Sequence, residues 1–222
     1  MPQLFSRTYW LFGQLMQSEL FVHGEGITTN LKHDLGDASI QEFPCAFSAR
    51  ESDQYLCELI ATIPWQQDTL WIAGKEIQVP RLQCWMGDRG SNYSYSGIRL
   101  EPKSWSRPVL QIKKRVEQLC QRQFNSVLLN YYRNGRDSVS WHADDEKELG
   151  KHPVIASVSF GANRKFQFRP KLKTDKRRFQ MDLRHGSLLL MSDTLQNNWL
   201  HQLPKLDGLI EPRINLTFRI IY

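Results

Sequence analysis

Two spacings organise this chain. Between residues 52 and 63, Tyr55, Leu56, Leu59, Ile60 and Ile63 recur at intervals that predict a helix. Ser52 reads as its N-cap and Pro64 as its stop. A second helix is predicted from Ser106, with Pro108 in the first turn, where a missing N–H costs nothing. Val109, Ile112, Val116, Leu119 and Cys120 form its buried stripe, while Lys113, Lys114 and Arg115 fall mostly off it. Residues 1–50 show mixed polarity and weak periodicity, and they predict no defined element.

After Phe124 the period shortens. Apolar or alternating runs at 127–132, 138–144, 154–160, 164–169, 180–183, 187–191, 199–203 and 213–222 are separated by turn signals, of which Asn134-Gly135 is the strongest. Eight strands with no helix between them predict a mainly β domain with flanking helices (α+β), a sandwich or jelly-roll barrel. The expected organisation is an N-terminal segment over 1–50 and one domain over 51–222.

Composition then excludes several classes. With 41% hydrophobic residues among 222, the chain can bury a core, which rules out global disorder. No apolar run approaches the ~20 residues of a membrane span. The patch Tyr9-Trp10-Leu11-Phe12 is short, with little positive charge before it, and does not read as a signal peptide. Cys45, Cys57, Cys84 and Cys120 form no CxxC pair, which argues against a zinc ribbon or a disulfide framework. Reduced thiols fit a cytoplasmic protein, nuclear in a eukaryote. A net charge of +6 suits a polyanionic partner without requiring one.

The candidate chemistry lies in the second half. In Arg213-Ile214-Asn215-Leu216-Thr217-Phe218-Arg219 the polar and apolar residues alternate strictly. A half-exposed strand would explain this. Two guanidiniums, an amide and a hydroxyl on one face would also receive a small dianion, since arginine binds carboxylate bidentately. In His142-Ala143-Asp144, imidazole and carboxylate share one side of an extended segment. A third ligand would complete the two-His, one-carboxylate triad of non-haem Fe(II) oxygenases. His152, His185 and His201 are the candidates. His152 sits in a turn, His185 precedes Gly186 at a strand start, and His201 lies on a strand-like run shortly before the arginine strand.

Taken together, HAD at 142–144, His201 in HQLP, RINLTFR at 213–219 and Asn130-Tyr131-Tyr132 resemble the AlkB family of Fe(II)/2-oxoglutarate dioxygenases. The resemblance runs from about residue 65 to 222, and WHADDE followed by PVIASVSFGA is most similar to the branch that repairs duplex DNA. It implies a double-stranded β-helix with iron held by His142, Asp144 and His201. It also implies 2-oxoglutarate bound by Arg213, Asn130 and Tyr132 at one end and Arg219 and Asn215 at the other, with Thr217 lining the pocket. O2 is the second co-substrate.

The same resemblance places nucleotide-recognition elements at 65–100. Tyr93, Tyr95 and Ser96 fall in the segment that meets the flipped base, and Tyr95 would stack on it. Asp145 and Glu146 would favour a base made cationic by N-methylation, such as 1-methyladenine or 3-methylcytosine. The finger that fills the gap left by the base aligns with 71–75. It carries Ala73 where a large wedge is expected, which leaves single- and double-stranded DNA both open. The run 164–178 holds eight basic residues against one acid. Arg164, Lys171, Lys173, Arg177 and Arg178, with Arg81, are therefore expected to meet phosphates. The reading is a monomeric oxidative demethylase of N-alkylated DNA bases, releasing succinate and formaldehyde. The alternatives are the same chemistry on RNA or a protein side chain, or a non-catalytic nucleic-acid-binding barrel.

Overall fold

The computed structural model describes residues 18–22, 27–72, 74–95, 98–191 and 194–222. Its frame is two facing sheets. The larger has eight strands in the order β1-β2-β3-β14-β11-β16-β9-β6, and the smaller has four in the order β10-β15-β12-β13. The larger comprises β1 (Ser18–Val22), β2 (Ile27–Asp34), β3 (Ser39–Phe43), β6 (Leu82–Gly87), β9 (Ser126–Tyr132), β11 (Ile155–Gly161), β14 (Ser187–Met191) and β16 (Arg213–Arg219). The smaller comprises β10 (Val139–His142), β12 (Arg164–Pro170), β13 (Phe179–Leu183) and β15 (Trp199–Leu203). Two hairpins stand apart, β4 (Thr69–Ile72) with β5 (Lys75–Gln78) and β7 (Tyr93–Tyr95) with β8 (Ile98–Leu100).

All eight expected strands form, two with the expected bounds and the others with ends shifted by at most three residues. The segment before residue 50, where no element is expected, supplies β1, β2 and β3, and β3 pairs directly with β14. Helix α1 (Ala49–Thr62) starts earlier than expected. Its cap is Ser48, whose Oγ accepts from the Glu51 N–H while the Glu51 carboxylate accepts from the Ser48 N–H, a reciprocal capping box. Ser52, expected as the cap, is buried inside the helix where α1 meets the turn before β14. Gly186 makes that contact possible. It has φ +75, and a Cβ there would sit 2.4 Å from Ser52 Oγ. Gly186→Ala should therefore lower the melting temperature, at a cost of about 1–3 kcal/mol in a denaturant titration.

Helix α2 (Arg107–Cys120) follows the expected stripe, burying Val109, Ile112 and Val116. Both helices pack on the outer face of the larger sheet, against Val158, Ile214, Leu216 and Phe218. A second apolar layer, with Phe168, Met181, Trp199 and Leu189, fills the space between the sheets. Strand β16 thus has both faces buried, one against the helices and one against the smaller sheet. This removes the half-exposed explanation of its alternation and places four polar side chains inside the barrel. No described helix is long and apolar enough to cross a membrane.

Candidate metal and co-substrate site

The register of the smaller sheet brings the two histidines together. His142 on β10 lies directly opposite His201 on β15, and their rings stand edge to face at 4.2 Å between centroids. A bulge between Val139 and His142 shifts the register, and the strand ends at His142, so Asp144 falls beyond it. Its N–H donates to Gln196 Oε1 at 3.0 Å instead of to a ladder partner. Gln196 belongs to α3 (Thr194–Asn198), a short helix that the sequence reading misses. Asp144 Oδ1 accepts from the Arg219 guanidinium at 2.6 Å, and Oδ2 lies 3.7 Å from His201 Nε2.

One ligand atom from each of His142, Asp144 and His201 lies within 4.8 Å of the other two. His142 Nδ1 is 2.8 Å from the Ser140 carbonyl, an acceptor only, so that nitrogen carries the proton and Nε2 keeps its lone pair. Burial pushes both imidazoles below their ordinary pKa, His201 to about 3, so both are neutral ligands at pH 7. Burial also opposes ionisation of Asp144, but the Arg219 guanidinium and the imidazoles outweigh it. The carboxyl sits well below the usual range. Two neutral imidazoles and one carboxylate, converging from one side, fit a divalent iron with open positions. His185 is elsewhere: its Nδ1 accepts from the Gly161 N–H, and its ring packs on Phe160. His152 is exposed.

Strand β16 carries the rest of the site. It pairs with β9 so that Arg213 faces Tyr132 and Asn215 faces Asn130. Arg213 is 2% exposed, donates to Ser159 Oγ at 2.9 Å and lies 5.1 Å from the centre of the Tyr132 ring. Burial lowers its pKa to about 10, so it is a cation at neutral pH. Among the described residues no carboxylate pairs with it, and its Nε is buried without a partner. That orphan donor fits a ligand carboxylate. Asn130 Oδ1 accepts from Arg81 Nε at 2.7 Å and from Gln83 Nε2 at 3.0 Å. With its oxygen occupied, Asn130 offers its NH2 group to the pocket. Asn215 and Thr217 line the same pocket but bond one another at 2.8 Å, and the Asn215 amide also donates to Ser157 Oγ and the Val158 carbonyl. One cavity is thus shared by the His–Asp–His cluster and by Asn130, Tyr132, Arg213, Asn215, Thr217 and Arg219.

The expected nucleic-acid contacts fare differently. Arg81 and Arg164 are only 4% and 1% exposed, and neither can meet a phosphate. Arg81 lines the cavity, and Arg164 donates to the carbonyls of Asn134, Asp137 and Pro204. Arg164 opens the strand 164–170, which points alternate residues inward, and Arg81 is turned in to Asn130. Arg177 is exposed but engaged, binding Asp175, Asp37 and the Leu35 carbonyl and lying over the Trp199 ring. Lys171 pairs with Asp145 at 2.6 Å. Lys173 and Arg178 are exposed, and Arg178 donates to the adjoining Arg177 carbonyl. Asp145 is exposed and Glu146 half-buried. The backbone of Tyr93 and Tyr95 lies on β7, while their side chains and Ser96 fall outside the described residues. Ala73 is outside them too, and Trp71 beside it is 74% exposed on the β4–β5 hairpin.

Sequence reading passed over Gln83, Ser157, Ser159 and Gln196. The signal existed for three of them. Ser157 and Ser159 are two apart in an apolar strand, and Gln83 interrupts another. Gln196 offered none, because its role depends on α3 docking beside Asp144.

Comparison with known proteins agrees with this geometry. The human protein named alpha-ketoglutarate-dependent dioxygenase alkB homolog 3 is 39% identical over 206 residues, covering 89% of this chain and 71% of that protein. The human DNA oxidative demethylase ALKBH2 is 40% identical over 184 residues, covering 79% of this chain and 70% of that protein. The solved structure of OsALKBH1 superposes with a TM-score of 0.61 over 85% of this chain and 99% of that one. At 15% identity this speaks to the fold alone. The 2OG-Fe(II) oxygenase superfamily profile matches residues 40–219, which take in both histidines, the aspartate and both strand arginines, and the chain belongs to that superfamily.

Proposed function

We propose that this oxygenase removes N-alkyl groups from DNA bases, with 1-methyladenine and 3-methylcytosine as representative substrates. The observation that carries the reading is the 40% identity to a DNA oxidative demethylase over 184 residues, beside a superfamily profile match over 40–219 that takes in every residue lining the cavity. His142, Asp144 and His201 hold Fe(II). Arg213, Asn130 and Tyr132 would hold the distal carboxylate of 2-oxoglutarate, and Arg219 and Asn215 would serve its other end. Iron held by these three residues would, with 2-oxoglutarate and O2, supply the oxidising chemistry for hydroxylation of the N-methyl group. The adduct sheds formaldehyde, and succinate and CO2 leave.

The chain's own residues position these groups. Arg219 fixes the Asp144 carboxylate and keeps it ionised. Asp145 and Glu146 follow the metal ligands directly and favour a cationic methylated base. Tyr95 supplies a stacking surface, helped by Tyr93 and Ser96. The protein acts as a monomer on single- or double-stranded DNA, in the nucleus or cytoplasm. Incubation with methylated single- and double-stranded oligonucleotides, Fe(II) and 2-oxoglutarate should restore the unmodified base mass in step with succinate. Succinate without any change in base mass would sink the reading, and repair confined to an RNA oligonucleotide would move it to RNA.

Lys173 and Arg178 are the phosphate contacts that the fold leaves exposed. Neutralising both should weaken oligonucleotide binding and reduce its salt slope by about 0.7–0.9 per lost contact. Uncoupled 2-oxoglutarate turnover should persist. Fluorescence anisotropy at several salt concentrations measures this, and an unchanged slope would make the run a solvated face. Arg177→Ala should instead lower stability by on the order of 1 kcal/mol, since it releases an exposed ion-pair and ring contact.

A further inference from the structure

Arg164 is among the least exposed side chains of the protein, yet it takes no part in the site described so far. Its guanidinium and that of Arg213 come from opposite sheets, and both lie against Tyr132, at 6.0 and 5.1 Å from the ring centre. The acceptors of Arg164 are three neutral carbonyls, those of Asn134, Asp137 and Pro204. The nearby Asp137 carboxylate is already taken by Arg133, through its Nε at 2.8 Å, its terminal nitrogen at 2.9 Å and its backbone N–H at 2.9 Å. Arg213 likewise donates to a neutral hydroxyl. The Nε atoms of Arg164 and Arg213 are both buried without a hydrogen-bond partner.

Two buried guanidiniums around one ring, with neutral acceptors and two orphan donors, are expensive in a folded protein. Burial opposes the charge of each; the Asp137 carboxylate offsets part of this at Arg164, while repulsion from Arg164 adds to the cost at Arg213. A staple for the 134–137 turn would need hydrogen bonds but no second charge beside Arg213. A carboxylate placed at Tyr132 would meet both positive fields and relieve the repulsion.

We propose that Arg164 is a positioning residue for the co-substrate: it acts through Tyr132 and beside Arg213 to make the closed end of the pocket select a second carboxylate. The proposal rests on reading Arg213 as the anchor of the distal carboxylate. It concerns 2-oxo dicarboxylates against 2-oxo monocarboxylates of equal length. Arg213 touches the ligand, and Arg164 sets the field and holds the ring.

The test is calorimetric binding, without O2, of 2-oxoglutarate and of 2-oxopentanoate, in which a methyl group replaces the distal carboxylate, to the Fe(II)-loaded protein. Arg164→Gln should weaken 2-oxoglutarate about tenfold and leave 2-oxopentanoate unchanged, so the preference collapses. Arg164→Lys keeps the charge but loses the fork on the carbonyls. It should melt lower while keeping most of the preference, a split that a purely structural role would not give. Arg213→Ala separates the two readings. If Arg213→Ala keeps the dicarboxylate preference, the anchor reading itself fails. If Arg213→Ala loses the preference and Arg164→Gln does not, Arg164 is only a staple and this inference is overturned. Should the Gln variant not fold, the parent protein decides. The Nε–H resonances of Arg164 and Arg213 should both shift with 2-oxoglutarate and neither with 2-oxopentanoate. An Arg164 resonance indifferent to both overturns the proposal.

Discussion

His201→Ala should abolish oligonucleotide demethylation and 2-oxoglutarate turnover while leaving a folded barrel. The substitution removes one of three protein ligands, and losing even a supporting partner of a metal ligand costs 10–100-fold, so a loss of well over ~100-fold is expected. His201 packs against Phe166 and Phe168, so a cavity forms and stability falls by about 2–3 kcal/mol. Metal content of the purified variant, normalised to the folded fraction, separates ligand loss from unfolding. Asp144→Ala should be as inactive and less stable. It strands the buried Arg219 charge, and breaking a buried pair on one side costs roughly 3–5 kcal/mol. His185→Ala should retain turnover, because that imidazole faces Gly161 and Phe160 away from the cluster. Full activity in the His201 variant alongside loss in the His185 variant would overturn the ligand assignment.

Arg213→Ala should raise the 2-oxoglutarate concentration needed for half-maximal turnover by roughly 30-fold or more. Truncating one side of a buried charged pair costs about 2–5 kcal/mol, and the distal carboxylate would have no other direct guanidinium. Arg213→Lys should recover part of this, since an ammonium carries the charge but not the fork. The ligand-free Arg213→Ala protein should melt close to the parent, because it also removes a buried cation with no carboxylate partner. Burial lowers the folded pKa of Arg213 from the ordinary guanidinium range to about 10, so the cost of holding it charged is fully present at neutral pH and fades only above about 10. Co-substrate affinity should therefore show no titration from this group between pH 6.5 and 8.5. An unchanged 2-oxoglutarate requirement in both variants would remove Arg213 from the pocket.

Much of this was legible along the chain. The eight short runs after Phe124 gave the strands, because period-two alternation is imposed by the pleat itself. Arg213, Asn215, Thr217 and Arg219 declared a common face, and His142 and Asp144 declared a pair, for the same local reason. The start of α1 was written in Ser48 and Glu51 as a capping box, but Ser52 offered the same residue type four positions on. β1, β2 and β3 were hidden: β2, for one, mixes Thr29, Asn30 and Lys32 with Leu31, which blurs any period.

What the tertiary structure decided was the fate of the charges. Residue type could not tell whether Arg164, Arg177 and Arg178 all faced solvent, for they sit in one basic run. The fold sends Arg164 between the sheets, ties Arg177 to Asp37 in the distant β2–β3 turn, and leaves Arg178 exposed. Arg81 likewise became a partner of Asn130 only when β6 paired with β9. Periodicity is set by bonds between neighbours and is written locally. The partner of a charge is whichever acceptor folding brings within about 3 Å, and here those acceptors lie tens of residues away.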